Sequence, residues 1–405
     1  MARTRRAGRL LLAGSIGAAA LGAVGAVPSV SGATGSTITI GASLPLTGPL
    51  GGLGSDQEAG YTQAVNDVNA AGGLKVHGVR HLVHLVVLDN ASDSTTASQQ
   101  ARSLVLKDGA VALLGGATPP IAIPEALAAE VLRVPFVTTN SPVDAFAAGN
   151  KAGWNYAWDL FFKEQDQAVA VSHYVNLCST NKKVALFTDT EQDGVFQRPL
   201  YLAALAKAGD RVVGDYTFPV STTDFTSFVT KAKAAGAQIV VGQMILPAGV
   251  TLLKQMKALG FAPRVVLIAK ASNAQSWVQA LGSLSEGTGM ELTWSPAWNN
   301  PGTAHVEATL GKRLGLVDLA SAVPDYGAAQ VLLNAISAAG TTAAAKVNAA
   351  IRATNATLVV GHVRFAKNHT AVLNYAVGQW QGKKAVQVYP SVAGAHLECP
   401  MAGLK

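Results

Sequence analysis

The sequence predicts an α/β protein of two lobes, each built on a doubly wound parallel sheet with helices on both faces. Three observations lead there. Apolar strand-like runs alternate with helical patterns from Thr37 to Val137, and the alternation restarts at Lys183. Several of the strand runs are apolar almost throughout, as parallel strands covered on both faces are. The chain has 405 residues, more than one typical domain holds.

The run Thr37-Ile38-Thr39-Ile40 is β-branched and opens the first strand. The loop after it centres on Gly48-Pro49-Leu50-Gly51-Gly52-Leu53-Gly54. Ala59, Tyr61, Ala64, Val65 and Val68 then follow at helical spacing. Such a loop lies at the carboxyl end of a strand, where α/β sheets bind ligands, although ordinary βα turns carry glycines too. No Gly-Lys-Ser/Thr is present, so it does not read as a phosphate loop. Residues 82–88 form a second strand ending in Asp89. Residues 93–107 form a helix with Ser94 or Thr95 as its cap. A third strand over 110–114 ends in Gly115-Gly116-Ala117-Thr118-Pro119-Pro120 and leads to a helix over 121–132. A fourth, over 134–137, ends in Thr138-Thr139-Asn140-Ser141-Pro142.

The aromatic stretch 150–162 breaks the rhythm and reads as a crossing between lobes. Its tryptophans, Trp154 and Trp158, with Trp294 and Trp298, either line the cleft or pack the join, and packing is expected for most of them. A helix over 165–177 follows. The second alternation then runs through strands at 183–187, 211–217, 239–241 and 265–269, with helices at 194–208, 225–235, 248–259 and 274–281. A strand over 290–293 precedes helices at 303–314, 326–339 and 343–353. The end is strand-like over 359–365, 372–379 and 385–389.

The first 33 residues read as a secretory signal peptide. Four arginines precede an apolar core and the small-residue end Ser31-Gly32-Ala33, with cleavage expected near Ala33. Thr4-Arg5-Arg6 hints at twin-arginine export, and the absence of a nearby cysteine argues against a lipid anchor. Removing the four arginines lowers the net charge from +7 to +3. No basic cluster interleaved with aromatics remains to suggest nucleic acid. Two cysteines, Cys178 and Cys399, allow one bridge or two buried thiols. No Gly-x-Ser-x-Gly, His-Glu-x-x-His or Cys-x-x-Cys is present, so neither catalysis nor a metal or cofactor is expected. His77, His81 and His84 read as the edge of a surface hairpin.

One ordered set of fragments goes further. Lys183–Asp189 is followed by Asp193-Gly194, Ala208-Gly209, Val212-Val213-Gly214, Thr223-Asp224-Phe225-Thr226, Leu252-Leu253-Lys254-Gln255 and Leu259-Gly260-Phe261. With Gly41–Pro49, Val134-Pro135-Phe136-Val137, Tyr326-Gly327-Ala328-Ala329, Gly361–Phe365 and Val388-Tyr389-Pro390, they span nearly the whole mature chain in order. The chain resembles the branched-chain amino-acid type of periplasmic substrate-binding protein that serves ABC transporters. The resemblance implies a type I periplasmic-binding fold: two Rossmann-like lobes on a three-strand hinge, closing on a ligand held in the cleft. It places the crossings near 154–159, 290–293 and 358–363. The first lobe is then 37–155 with 291–357, and the second is 156–290 with 358–405. Both cysteines fall in the second lobe, which favours their pairing. The implied partners are a small organic ligand and the permease and ATPase subunits of an ABC transporter, with the protein exported and acting as a monomer. A sensing subunit of the same fold, reporting to a membrane partner, is the alternative.

Carried over position by position, the ligand contacts are Leu53, Thr118, Thr139, Asn140 and Ser141 in the first lobe. In the second they are Asp193, Met244, Ile245 and Lys270. Several of these depart from the resemblance: Asp193 stands where the family has a tyrosine before glycine, and Met244 or Ile245 where it has an aromatic residue. Leu53 replaces an aromatic residue, and Lys270 stands at or near the position of an acid that pairs with a ligand ammonium. Lys270 is either a solvated loop lysine or a residue that turns such an ammonium away, with Asp193 as a substitute anion. The expected ligand is a small carboxylate or amide with an apolar body, other than a standard branched-chain amino acid.

Overall fold

The structure, a computed structural model, describes residues 35–405; the expected signal segment lies outside them. The first half runs β1 (Ile38–Leu44), α1 (Gly51–Ala70), a hairpin of β2 (Leu74–Val76) and β3 (Val79–His81), and β4 (Val83–Asp89). It continues with α2 (Ser94–Leu106), β5 (Ala112–Leu114), α3 (Pro119–Leu132), β6 (Phe136–Thr138), α4 (Val143–Ala148) and β7 (Ala157–Phe161). The second half opens with α5 (Glu164–Val175), β8 (Lys183–Asp189), α6 (Gln192–Lys207), β9 (Arg211–Phe218) and α7 (Thr226–Ala234). It goes on through β10 (Ile239–Met244), α8 (Leu246–Ala258), β11 (Val265–Lys270), α9 (Gln275–Leu281) and β12 (Thr288–Leu292). Then come α10 (Thr303–Val306), a π turn, α11 (Lys312–Ala339), α12 (Ala344–Arg352), and β13 (Asn355–Leu358) paired with β14 (Gly361–Arg364). β15 (Thr370–Val372), β16 (Ala376–Gln381) and β17 (Lys384–Tyr389) end the chain.

Two sheets result. The first has the order β15-β7-β6-β5-β1-β4, all parallel. The second has the order β17-β16-β12-β11-β10-β8-β9, parallel from β12 to β9 and antiparallel at β16 and β17. The doubly wound α/β expectation therefore holds for both halves. β4 departs from the fully covered strand its composition suggests. It lies at the edge of its sheet, and its middle residues are only half-buried.

Several boundaries are corrected. The chain leaves the first sheet after Phe161, so the crossing expected at 154–159 falls at Phe162. The crossing expected at 358–363 falls at 373–375, because β15 pairs with β7 before β16 joins the second sheet. β15, expected in the second lobe, thus belongs to the first sheet, while β13 and β14 form a two-stranded sheet of their own. The α2 cap is Asp93, not Ser94 or Thr95; its carboxylate accepts from Thr96 N–H at 2.7 Å. The helices expected at 303–314 and 326–339 run together through α11, with a kink at Gly315, where φ is 74°. α4 was not expected, its six residues being too short for a periodic pattern.

The four tryptophans pack as expected. Trp154 stacks on Phe146, Trp158 on His369, Trp294 donates to Val359 C=O, and Trp298 packs against the core. His77 and His81 sit in the β2–β3 hairpin as expected, in its turn and at the end of β3, whereas His84 lies in β4, the edge strand of the first sheet. Cys178, just past α5, and Cys399 form a disulfide with Cα atoms 6.0 Å apart, stapling the C-terminal segment to the second half.

Candidate functional site

The carboxyl ends of both sheets face one cleft. Its walls are Leu53 from α1, Thr118 before α3, Asn140 and Pro142 before α4, and Phe161 and Phe162 at the crossing. The second half adds Asp193 from α6, Gln243 from β10, Lys270 and Asn273 at the end of β11, Glu291 from β12 and Thr293. Val317, Ala320 and Ser321 of α11 complete it. The empty space between these walls, counting the solvent at its mouth, is about 550 Å³.

Leu53 reaches the cleft because Gly54 lets the start of α1 press on β1. A Cβ at Gly54 would lie 2.1 Å from Pro45 C=O. Gly54 thus serves close packing, and Gly51, Gly52 and Gly54 lie inside the helix. Thr118 precedes two prolines that begin α3, where their missing N–H groups cost nothing to the helix. Its φ is 68°, its N–H donates to Asn140 C=O at 3.0 Å, and its buried hydroxyl has no partner. Asn140 is also left-handed, and its amide donates to both oxygens of Asp325 at 3.0 and 3.1 Å. Burial pushes Asp325 up to about 8. Thr139 and Ser141 are buried with unpartnered hydroxyls, but they lie behind the wall rather than in it.

The second wall is a connected network. Lys270 ends β11 with φ 67° and only 7% of its side chain exposed. It is therefore not a solvated loop lysine. Its ammonium donates to Glu191 and, at 3.1 Å, to Asp193. Burial opposes the charge, but the carboxylates of Asp193, Glu191 and Asp189 outweigh it and raise the lysine's pKa. Asp193 also accepts from Gln243 at 3.3 Å, and Gln243 accepts from Tyr201 at 3.1 Å. Glu291 accepts from Asn273, from Gln167 at 2.8 Å and from Lys270 N–H at 3.2 Å. Burial pushes Glu291 and Asp189 each up to about 7. Asp189, Glu191 and Asp193 are close enough to share a cation, and the Lys270 ammonium already holds that place.

The flanks are closed. Ile245 of the second half packs with Leu50, Ala97 and Ile121 of the first. Asp318 of α11 accepts the N–H of Gln275 at the start of α9, at 2.7 Å. On the hinge side, Glu164 accepts the N–H groups of Asp144 and Ala145 at 2.9 and 2.7 Å.

The cleft gathers Leu53, Thr118, Asn140, Asp193 and Lys270. It leaves out Thr139, Ser141, Met244 and Ile245. Met244 is fully buried in the core, and Ile245 lines the flank instead. Sequence reasoning missed Phe161, Phe162, Gln243, Asn273 and Glu291. A signal was present for two of them: Gln243 is the one polar side chain of β10, and Glu291 the one charged side chain of β12, both in wholly buried strands.

The periplasmic binding protein family model matches residues 37–385. The chain belongs to that family. It is thus a solute-binding protein, of a family that binds solutes rather than transforming them. It is 28% identical over 307 residues to a Leu/Ile/Val-binding protein homologue of Brucella melitensis, covering 75% of this chain and 80% of that one. Among solved structures, a leucine-binding protein LivK of Thermotoga maritima has a TM-score of 0.76 at 23% identity, covering 87% of this chain and 97% of that one. A solute-binding protein from R. palustris in complex with 4-hydroxybenzoate has a TM-score of 0.72 at 18% identity, covering 87% and 95%. These likenesses show the type I fold.

Proposed function

We propose that the protein is exported, with its signal peptide cleaved near Ala33, and captures a small organic solute in the cleft. The solute is amino-acid-like, a carboxylate or an amide, and the protein delivers it unchanged to the permease and ATPase subunits of an ABC transporter. The observation that carries this reading is the convergence of loops from both sheets on one cleft at their strands' carboxyl ends. Family membership and the Leu/Ile/Val-binding relative support the substrate class. The apolar side chains Leu53, Pro142, Phe161, Phe162 and Val317 suit a solute with a hydrocarbon body.

Thermal-shift screening of the purified mature protein against a metabolite library tests this. A ligand that binds only the folded, closed form raises the melting temperature by mass action. A hit recovered intact after hours of incubation is the expected result. A library without hits, or a hit that is consumed, overturns the reading.

A further inference from the structure

We propose that the Lys270 ammonium reads the anionic end of the solute, and that the solute is a carboxylate with an apolar body and no cationic amine. This rests on the solute-capture reading above and narrows it.

Donor capacity decides the matter. Lys270 is the only basic side chain lining the cleft among the described residues. An ammonium has three hydrogens. Glu191 and Asp193 Oδ2 engage two of them, and the third meets only Asp193 Oδ1 at 3.4 Å, a long contact that a guest oxygen can take over. The Thr118 hydroxyl, in the opposite wall, is buried and unpartnered. Asn273 uses its amide on Glu291 and keeps a second N–H. These groups suit the oxygens of a carboxylate.

Acceptors are committed instead. Both oxygens of Asp193 lie within hydrogen-bonding reach of Lys270, and one also takes Gln243. The two oxygens of Glu291 take Asn273, Lys270 N–H, Gln167 and Tyr375. Asp189 keeps one free oxygen, but it does not line the cleft. A guest ammonium brings three donors of its own and finds each lining carboxylate already engaged. Burying it there would leave a poorly paired charge. The protein's own lysine already fills the place between the acids where such a cation would sit.

Matched probes test the proposal by calorimetry at pH 7.5: 4-methylpentanoate against L-leucine, 3-phenylpropanoate against L-phenylalanine, and isopentylamine as the cation without a carboxylate. The expected result is at least tenfold tighter binding of each amine-free acid than of its amino-acid twin, with no binding of the amine. Lys270→Met then weakens the acid at least 100-fold, and Lys270→Arg retains more of the affinity. The wild-type comparison needs no variant to fold, and circular dichroism checks both variants. Tighter binding of leucine or phenylalanine overturns the proposal. So does undiminished acid binding by folded Lys270→Met. If none of these probes fits, the hits of the metabolite screen decide: amine-free carboxylates support it, and ammonium-bearing hits overturn it while leaving solute capture intact. A screen with no hit at all defeats solute capture itself.

Discussion

The two walls of the cleft differ in how they use their polar groups. In and behind the first-half wall, Thr118, Thr139 and Ser141 bury hydroxyls that have no partner. In the second-half wall, Lys270, Asp193, Gln243, Asn273 and Glu291 bond to one another and to Glu191, Gln167 and Tyr201. Buried polar groups without partners are rare and mark functional places or strain. The first wall thus has the Thr118 hydroxyl to offer an incoming guest. The second is a preassembled frame whose bonds exist before the guest arrives. Removing a group from the frame should cost stability, and removing one from the first wall should cost affinity.

The largest effect is expected at Asp193. Asp193→Ala leaves the buried Lys270 ammonium with Glu191 alone and frees the Gln243 amide. Breaking a buried pair from one side costs on the order of 3 kcal/mol. Urea denaturation of the ligand-free protein should show a loss of about that size. Adding Lys270→Met should recover much of it, because the uncompensated charge disappears with the lysine. A loss in the double variant equal to the sum of the two single losses would mean the walls do not differ in this way.

A smaller effect separates the frame's acids by pH. Burial raises the folded-state pKa of Glu291 to about 7 from an ordinary 4.5. A raised acid stabilises the fold fully below its unfolded value, and that contribution is lost as pH rises through the folded value. The ligand-free protein should therefore lose stability between pH 5 and pH 8. The Glu291 share is at most roughly 3 kcal/mol, by the energy equivalent of a pKa shift. Glu291→Gln should remove that share and flatten the slope. Part of the slope should survive, because Asp189 is raised to about 7 in the same direction. An unchanged slope in Glu291→Gln would show that Glu291 stays charged in the folded protein throughout this range.

The pattern of strands and helices was legible because parallel strands carry continuous apolar runs and their neighbours carry helical spacing. Ile239–Met244 and Val265–Lys270 are examples, both wholly buried. The third crossing was not legible. β15 is three residues long, and its pairing with β7 joins positions some 210 apart, such as Thr370 and Asp159. Local pattern carries no such information. In the site, Thr118, Asn140, Asp193 and Lys270 could be found because each ends a strand or lies just after one. Phe161 and Phe162 lay within a stretch that read only as a crossing between lobes, and they line the cleft at that crossing. The role of Lys270 was ambiguous because its partners, Glu191 and Asp193, lie 79 and 77 positions away. Only the fold brings a basic and two acidic side chains out of water together.

The smallest effect is the one that tests the first wall most directly. Thr118→Val keeps the β-branched shape and removes a buried hydroxyl that bonds to nothing in the ligand-free structure. Its backbone bond to Asn140 survives, because it uses the main-chain N–H. The left-handed φ of 68° is a strain that threonine already carries, and valine, also β-branched, inherits it. Ligand-free stability should therefore stay within about 0.5 kcal/mol of the parent, the range of substitutions that break no interaction. Affinity should respond instead. One hydrogen bond to a charged oxygen is worth about 1.5 kcal/mol or somewhat more, so a carboxylate guest should bind roughly tenfold less tightly. The Asp193→Ala protein should show the reverse weighting, with a large stability loss. If Thr118→Val instead destabilises the empty protein and leaves affinity unchanged, the hydroxyl serves the fold, and the division of labour between the two walls fails at its clearest point.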